Sequence, residues 1–154
     1  MAESPGYKNL LRFLNDCQAE YLIVGGHVVM KYTEPLYTKD LDIWINASAQ
    51  NSERVLRALA QFGAPLTQDK ITAETFRQPD VVYQIGVAPV RVDVLTSITG
   101  VPFADAWGRR VEGSLFGVAV WFLSAEDLVR NKESTGRGSD VKHLERFRRD
   151  ETGN

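Results

Sequence analysis

Cysteine, histidine and long hydrophobic runs are scarce in this chain, and each scarcity excludes a class of site. The one cysteine, Cys17, rules out an intrachain disulfide and a thiolate metal cluster. With two histidines, His27 and His143, and no activated-serine context, a Ser-His-Asp hydrolase triad has little support. No apolar run approaches the length of about 18 residues that a membrane-spanning helix needs.

The net charge is also small. A formal value of −2 gives no global attraction to nucleic acid or to an anionic membrane. The N-terminus lacks the basic flank and apolar segment of a signal peptide, so we expect a cytoplasmic protein with no membrane partner. A chain of 154 residues can bury a real core, and we expect one domain over residues 1–154.

Hydrophobic periodicity predicts an α/β (α+β) fold, a mixed sheet of about five strands with about five helices packed on it. Ser48 and Gly63 bracket one helix as N-cap and C′ residues. Residues 100–113 are ambiguous, and we favour a loop with a helical turn. Predicted helices cover residues 5–17, 26–32, 49–62 and about 125–134, with a last one around Val141, Leu144 and Phe147; predicted strands cover 20–24, 41–45, 81–85, 90–95 and 118–122.

Gly25 and Gly26 lie between a predicted strand and a predicted helix. Glycine allows a sharp turn and a close approach of phosphate, and the N–H groups of a helix start bind anions. The pair matches neither a P-loop nor a dinucleotide-binding motif, so a purely structural turn is the alternative. His27 follows the glycines, and we expect it to pack or to hydrogen-bond rather than to bind a metal.

Asp40 and Asp42 flank one leucine inside an apolar segment. On a strand, residues two apart project from the same face, so the two carboxylates are predicted to lie side by side. Their repulsion is costly once they leave water, and a divalent cation would remove that cost. The alternatives are a strand end with two solvated acids, a turn device, or inward charges on an edge strand.

Asp93 supplies a third carboxylate on another predicted strand, within Arg91-Val-Asp93-Val-Leu95. Three carboxylates on two strands would suit Mg²⁺, which prefers oxygen ligands and keeps waters for substrate phosphates. Arg91 offers the simpler explanation of a surface ion pair on the same face, which is usually worth little.

Lys132 and Arg137 flank the glycine break between the last two predicted helices. Basic residues outnumber acidic ones from there to Arg149, and such a segment beside an acidic metal cluster suits a polyphosphate. The alternative is a solvated helical face, which we prefer for Arg146, Arg148 and Arg149.

Together these residues resemble the nucleotidyltransferase superfamily that shares the polymerase-beta-like core. The shared pattern is a strand, Gly25-Gly26, a helix, Asp40-x-Asp42 on the next strand, and Asp93 on a later one. The closer resemblance is to small bacterial nucleotidyltransferase-like proteins related to abortive-infection toxins. It covers residues 20–147 and includes the segments Val24–His27, Thr38–Trp44, Arg91–Leu95 and Asp127–Asp140.

The resemblance implies that Asp40 and Asp42 bind Mg²⁺, and that Asp93 assists the metal and activates the acceptor hydroxyl. It suggests nucleotide binding by Gly25, Gly26, Lys132 and Arg137. It does not extend to the helical domain with which many members grip their acceptor, so the acceptor stays open.

The sequence therefore predicts a magnesium-dependent nucleotidyltransferase that moves an NMP group from an NTP to a hydroxyl of RNA, protein or a small molecule. A homodimer or a partner protein could complete its acceptor surface. The alternatives are a non-catalytic nucleotide-binding or interaction module acting with a partner, as in a toxin–antitoxin system, and a structural metal-binding domain.

Overall fold

A mixed six-stranded sheet organises the chain, which a computed structural model describes over residues 5–32, 40–87 and 90–135. The strands are β1 (Tyr21–Val24), β2 (Asp40–Ile45), β3 (Val82–Val87), β4 (Val90–Leu95), β5 (Val111–Leu115) and β6 (Val118–Phe122). Their spatial order is β3-β4-β2-β1-β6-β5. The β2–β4 and β1–β6 pairs are parallel and the other three pairs are antiparallel.

Five α-helices pack on this sheet within the described residues, together with a short 3-10 helix, Ala73–Arg77. The α-helices are α1 (Pro5–Asp16), α2 (Gly26–Tyr32), α3 (Ala49–Phe62), α4 (Phe103–Gly108) and α5 (Ala125–Thr135). Ser48 caps α3 by accepting from the Asn51 N–H, and Gly63 ends it in the left-handed conformation, as predicted. The predicted mixed fold is thus confirmed, while the predicted helix around Val141 lies outside the described residues.

The core lies around the two central strands. All four residues of β1 are buried, and Leu41, Ile43 and Ile45 of β2 are buried on the face opposite Asp40 and Asp42. Helices α1 and α3 contact each other, and α2 contacts β1, β2 and α5. The two aspartates of β2 are therefore carried by a rigid central strand. No helix in the described part of the chain is both long and apolar enough to cross a bilayer.

The prediction for residues 100–113 needs a correction. This segment forms α4 and the first residues of β5, which pairs with β6 along its whole length. The hairpin turns through Phe116 and Gly117, whose φ values are 52° and 79°. Both φ values are positive, as in the type I′ turn that suits a two-residue hairpin.

Candidate nucleotide and metal site

Strand pairing brings the predicted carboxylates to one face of the sheet. Asp42 of β2 lies directly opposite Asp93 of β4, and Asp40 lies opposite Arg91. Because residues two apart on a strand share a face, the four side chains form a two-by-two group. We call Asp40, Asp42, Arg91 and Asp93 the strand cluster.

Gly25 covers this cluster at the end of β1. Its φ is +70°, and a Cβ built there would lie 2.0 Å from Asp42 Oδ2. Its carbonyl accepts a hydrogen bond from Val29 N in α2. Glycine is therefore required at position 25 for two reasons: the positive φ of its backbone and the close approach of the Asp42 carboxylate.

Asp42 is the electrostatically strained member of the cluster. Burial, followed by repulsion from Asp93 and Asp40, raises the pKa of Asp42 to about 6 from the ordinary 3.8. A hydrogen bond shared with Asp93 acts in the same direction, and the positive charge of Arg91 opposes it. Two carboxylates that face each other in this way can share a proton or a cation.

Arg91 neutralises part of the cluster. Its Nη2 donates to Asp40 Oδ2 at 2.6 Å, whereas its Nε lies 3.8 Å from Asp93 Oδ1. Arg91 Nε and Asp93 Oδ1 are both buried and neither has a hydrogen-bond partner. Tyr7 of α1 holds the backbone of Arg91, since its hydroxyl accepts from Arg91 N and donates to Arg91 O at 3.3 Å. The same-face ion pair expected as the simpler role of Arg91 is thus present on Asp40.

The strand cluster fits a hard divalent cation in its donor chemistry. Asp42 and Asp93 offer facing carboxylates, and Asp93 Oδ1 is a buried acceptor without a donor. In the present side-chain arrangement, however, no three His, Cys, Asp or Glu side chains of the described residues form a group that could hold a metal. Convergence of all three carboxylates on one ion therefore stays a prediction.

A cleft of about 230 Å³ opens beside Asp42. It brings the Gly25 turn and Lys132 of α5 together, although 107 positions separate these residues in the chain. Lys132 is 9% exposed. Arg137, predicted to join it, lies outside the described residues. The other residues of the cleft wall are Val24, Leu95, Ser97, Ile98, Thr99, Asn131 and Thr135.

His27 is buried in an aromatic setting, as expected for a packing role. Its ring contacts Tyr7 and Phe116 with centroid distances of 6.5 and 5.7 Å. Burial lowers its pKa, against a smaller opposing contribution from a hydrogen bond with the backbone of Asp40. Burial therefore favours the neutral form of His27, whose contact with the Asp40 backbone lies at the first residue of β2.

Sequence patterns alone missed several residues around the cleft. Asn131 Nδ2 donates to the Thr99 carbonyl at 2.9 Å and joins α5 to the loop after β4. Tyr7 of α1 carries no site signal in the sequence, yet its hydroxyl holds the backbone of Arg91. The sequence did offer one signal, which was closeness to predicted site residues. Asn131 directly precedes Lys132, and Thr99 follows Asp93 by six residues.

No protein-family model matches the chain, and no curated protein sequence matches it. The features of the chain that bear on function are the strand cluster, the Gly25 turn and Lys132, together with the motif resemblance.

Proposed function

We propose that this chain is a magnesium-dependent nucleotidyltransferase, which moves an NMP group from an NTP to an acceptor hydroxyl. The observation that carries the proposal is the facing pair of Asp42 and Asp93 beneath the Gly25 turn, with Lys132 on the same cleft. The pKa of Asp42, raised to about 6, shows that ionising this carboxylate pair destabilises the fold. Groups with such raised pKa values are concentrated at functional sites.

In this proposal the cleft receives the triphosphate. Gly25 and Gly26 let phosphate oxygens approach the backbone, and Lys132 supplies positive charge from α5. Asp42 and Asp93, joined by Asp40, would hold Mg²⁺. When bound, Mg²⁺ neutralises charge on the phosphates and on the attacking and leaving oxygens.

The chemical step needs a proton acceptor and an aligned hydroxyl. The acceptor oxygen attacks the α-phosphorus, its bond to phosphorus forms, and the bond to the β-phosphate oxygen breaks to release pyrophosphate. Asp93 is proposed to take the hydroxyl proton, since its Oδ1 is a buried acceptor without a donor. Positioning and electrostatics supply most of the catalysis in such a reaction.

Transfer of label tests the proposal directly. Each α-labelled NTP is incubated with the full chain, Mg²⁺ and bulk cellular RNA, and the label is followed into RNA and into protein. We expect Mg²⁺-dependent incorporation that Asp93→Asn abolishes. Asp16→Asn is the matched control, because Asp16 is an exposed aspartate at the end of α1. Incorporation without Mg²⁺, or equal losses in both variants, would refute the proposed site.

The acceptor class can be separated in the same experiment. Label on the protein alone would indicate protein modification, and label on RNA would indicate an RNA substrate. The basic residues from Lys132 onward can make only a few phosphate contacts, so we expect weak, salt-sensitive RNA binding by the single chain. A homodimer or partner protein would complete the surface. Tight, salt-insensitive RNA binding by the monomer would contradict this expectation.

One observation favours a second candidate, a non-catalytic nucleotide-binding or interaction module that acts with a partner. Arg91 donates to Asp40 at 2.6 Å, which withdraws one of the three carboxylates from metal binding. This candidate would be supported if the chain bound NTP in a magnesium-dependent way but showed no turnover on any acceptor. The same result should hold when a partner protein, as in a toxin–antitoxin-type system, is added.

A further inference from the structure

The strand cluster contains its own cation. Three carboxylates and one guanidinium share the face formed by β2 and β4, so the cluster carries a negative excess even with Arg91 in place. Arg91 is 36% exposed and its partner Asp40 is 34% exposed, whereas Asp93 is 16% exposed. The guanidinium therefore lies toward the open side of the cluster, where an ion from solvent would enter.

The contacts of Arg91 are unequal. It forms a full hydrogen bond with Asp40, yet its Nε stops 3.8 Å short of Asp93 Oδ1. Both of these atoms are buried without a hydrogen-bond partner. A guanidinium with five donors in a fixed fork could satisfy Asp93 instead, by a small shift away from Asp40. Tyr7 fixes the backbone of Arg91, so such a shift would involve the side chain alone.

We infer that Arg91 is a built-in competitor of the divalent cation at Asp40, which must give up that carboxylate before the cluster is loaded. This inference rests on the metal site of the proposed function. In the cation-free protein, Arg91 offsets the repulsion among the three aspartates. On loading, it releases Asp40 and turns toward the solvent. The free state is thereby stabilised and the affinity for the cation is held down.

Mn²⁺ alone, without nucleotide, is the probe. Free Mn²⁺ is measured by electron paramagnetic resonance during titration of the full-length wild type, Arg91→Gln, Arg91→Lys and Arg77→Gln. Arg77 is the matched control, since its ion pair is a surface pair with Glu74 on the 3-10 helix. We expect Arg91→Gln to lower the Mn²⁺ Kd about tenfold, through loss of a competing pair and of a like charge. Arg77→Gln should stay within about twofold.

The lysine variant separates charge from shape. Arg91→Lys keeps the positive charge and the fold, so we expect its Mn²⁺ affinity to stay near that of the wild type. Thermal melting adds a readout that needs no activity. In EDTA, Arg91→Gln should melt below the wild type, and Mn²⁺ should raise its Tm by more than it raises that of the wild type.

The outcomes separate the two proposals. Equal or weaker Mn²⁺ binding by Arg91→Gln, with binding by the wild type retained, overturns the role of Arg91 and leaves the metal site standing. Equally tight binding by the lysine and glutamine variants overturns it as well, because charge would not be the barrier. Binding by no variant overturns the inference and the proposed metal site together.

Discussion

Two clusters of carboxylates and arginines lie in this structure, and they treat their aspartates in opposite ways. In the α5 cluster, which we define as Asp127, Ser124, Arg109 and Arg130, one aspartate is surrounded by donors. In the strand cluster, three aspartates share one arginine. The first arrangement satisfies a charge and the second leaves charge in excess.

Asp127 has no exposed side-chain surface and yet stays charged at low cost. Arg109 donates to both of its oxygens at 2.8 and 3.1 Å, Arg130 donates at 2.9 Å, and Ser124 donates at 3.1 Å. Burial by itself would raise the pKa of Asp127, but these hydrogen bonds outweigh it and lower the pKa. The Asp127 N–H in turn donates to Ser124 Oγ, a contact that caps the start of α5.

Asp42 shows the opposite balance, because burial and two neighbouring carboxylates outweigh the positive charge of Arg91. Its raised pKa means that ionised Asp42 weakens the fold, whereas ionised Asp127 strengthens it. A buried charge without enough hydrogen-bond donors in the fold is a candidate for binding a ligand or taking part in its chemistry. We therefore expect Asp127 to stabilise the fold and Asp42 to act on a ligand, and substitution of one residue at a time tests this expectation.

The largest expected effect is on activity. Asp42→Asn keeps the side-chain shape but removes a charge of the proposed metal site, so we expect the proposed nucleotide transfer to fall by at least about a hundredfold. Calorimetry should show that the same variant loses magnesium-dependent NTP binding. Asp127→Asn, assayed at a temperature where it is folded, should keep its activity per folded molecule. Comparable losses of activity per folded molecule in both variants would show that the two clusters do not differ in function.

Local sequence patterns could predict the parts of the site that lie on single elements. The spacing of Asp40 and Asp42 placed them on one face of a strand, and Gly25-Gly26 marked the turn into α2. Local patterns cannot give the pairing of β2 with β4, which sets Asp42 opposite Asp93 across 51 positions of sequence. Nor can they show that Lys132 returns to Gly25, since that contact depends on how α5 packs.

The hairpin of β5 and β6 shows why a whole strand was missed. Val111-Glu-Gly-Ser-Leu115 has a glycine at its centre and apolar residues only at its ends, as an edge strand tolerates. Its turn uses Phe116 at a positive φ, where asparagine or aspartate is usual. Contacts of Phe116 with Tyr7 and His27 offset that cost, and such tertiary contacts are invisible in a local pattern.

The next effect concerns stability in the α5 cluster. Asp127→Ala leaves Arg109 and Arg130 without their shared acceptor, and we expect a loss of about 3 kcal/mol in the free energy of unfolding at pH 7. The arginines are partly exposed and regain water, which keeps the loss at the low end for a buried pair. Urea denaturation measures it. The wild-type advantage should be present above the ordinary aspartate pKa and be lost as pH falls through the lowered pKa of folded Asp127. An unchanged midpoint would show that Asp127 is not structural.

The matching substitution in the strand cluster should act in the opposite direction. The pKa of Asp42 is about 6 in the folded chain, against an ordinary 3.8. At pH 7 the folded state therefore bears a charge that it disfavours, and Asp42→Asn should raise the free energy of unfolding by up to about 3 kcal/mol. The gain should be absent below pH 4 and grow between pH 4 and 6, as the unfolded chain releases the proton first. Urea denaturation across this range, in EDTA, checks it; a gain independent of pH would contradict the electrostatic cause.

The smallest expected effect is on NTP affinity, and it tests whether Lys132 of α5 acts together with the strand cluster. Lys132 and Asp42 line the same cleft, so a triphosphate held at Asp42 should contact Lys132. Lys132→Gln removes a charge-assisted contact worth about 1.5 kcal/mol, which corresponds to an increase of about tenfold in the NTP Kd. Calorimetry with Mg²⁺ measures this increase. Lys70→Gln is the control, since Lys70 is exposed in the loop before the 3-10 helix. We also predict that Arg137→Ala raises the nucleotide KM while Arg148→Ala does not, although both residues lie outside the described ranges. If Lys70→Gln weakened NTP binding as much as Lys132→Gln, the nucleotide would be attracted by diffuse positive charge rather than held in the cleft.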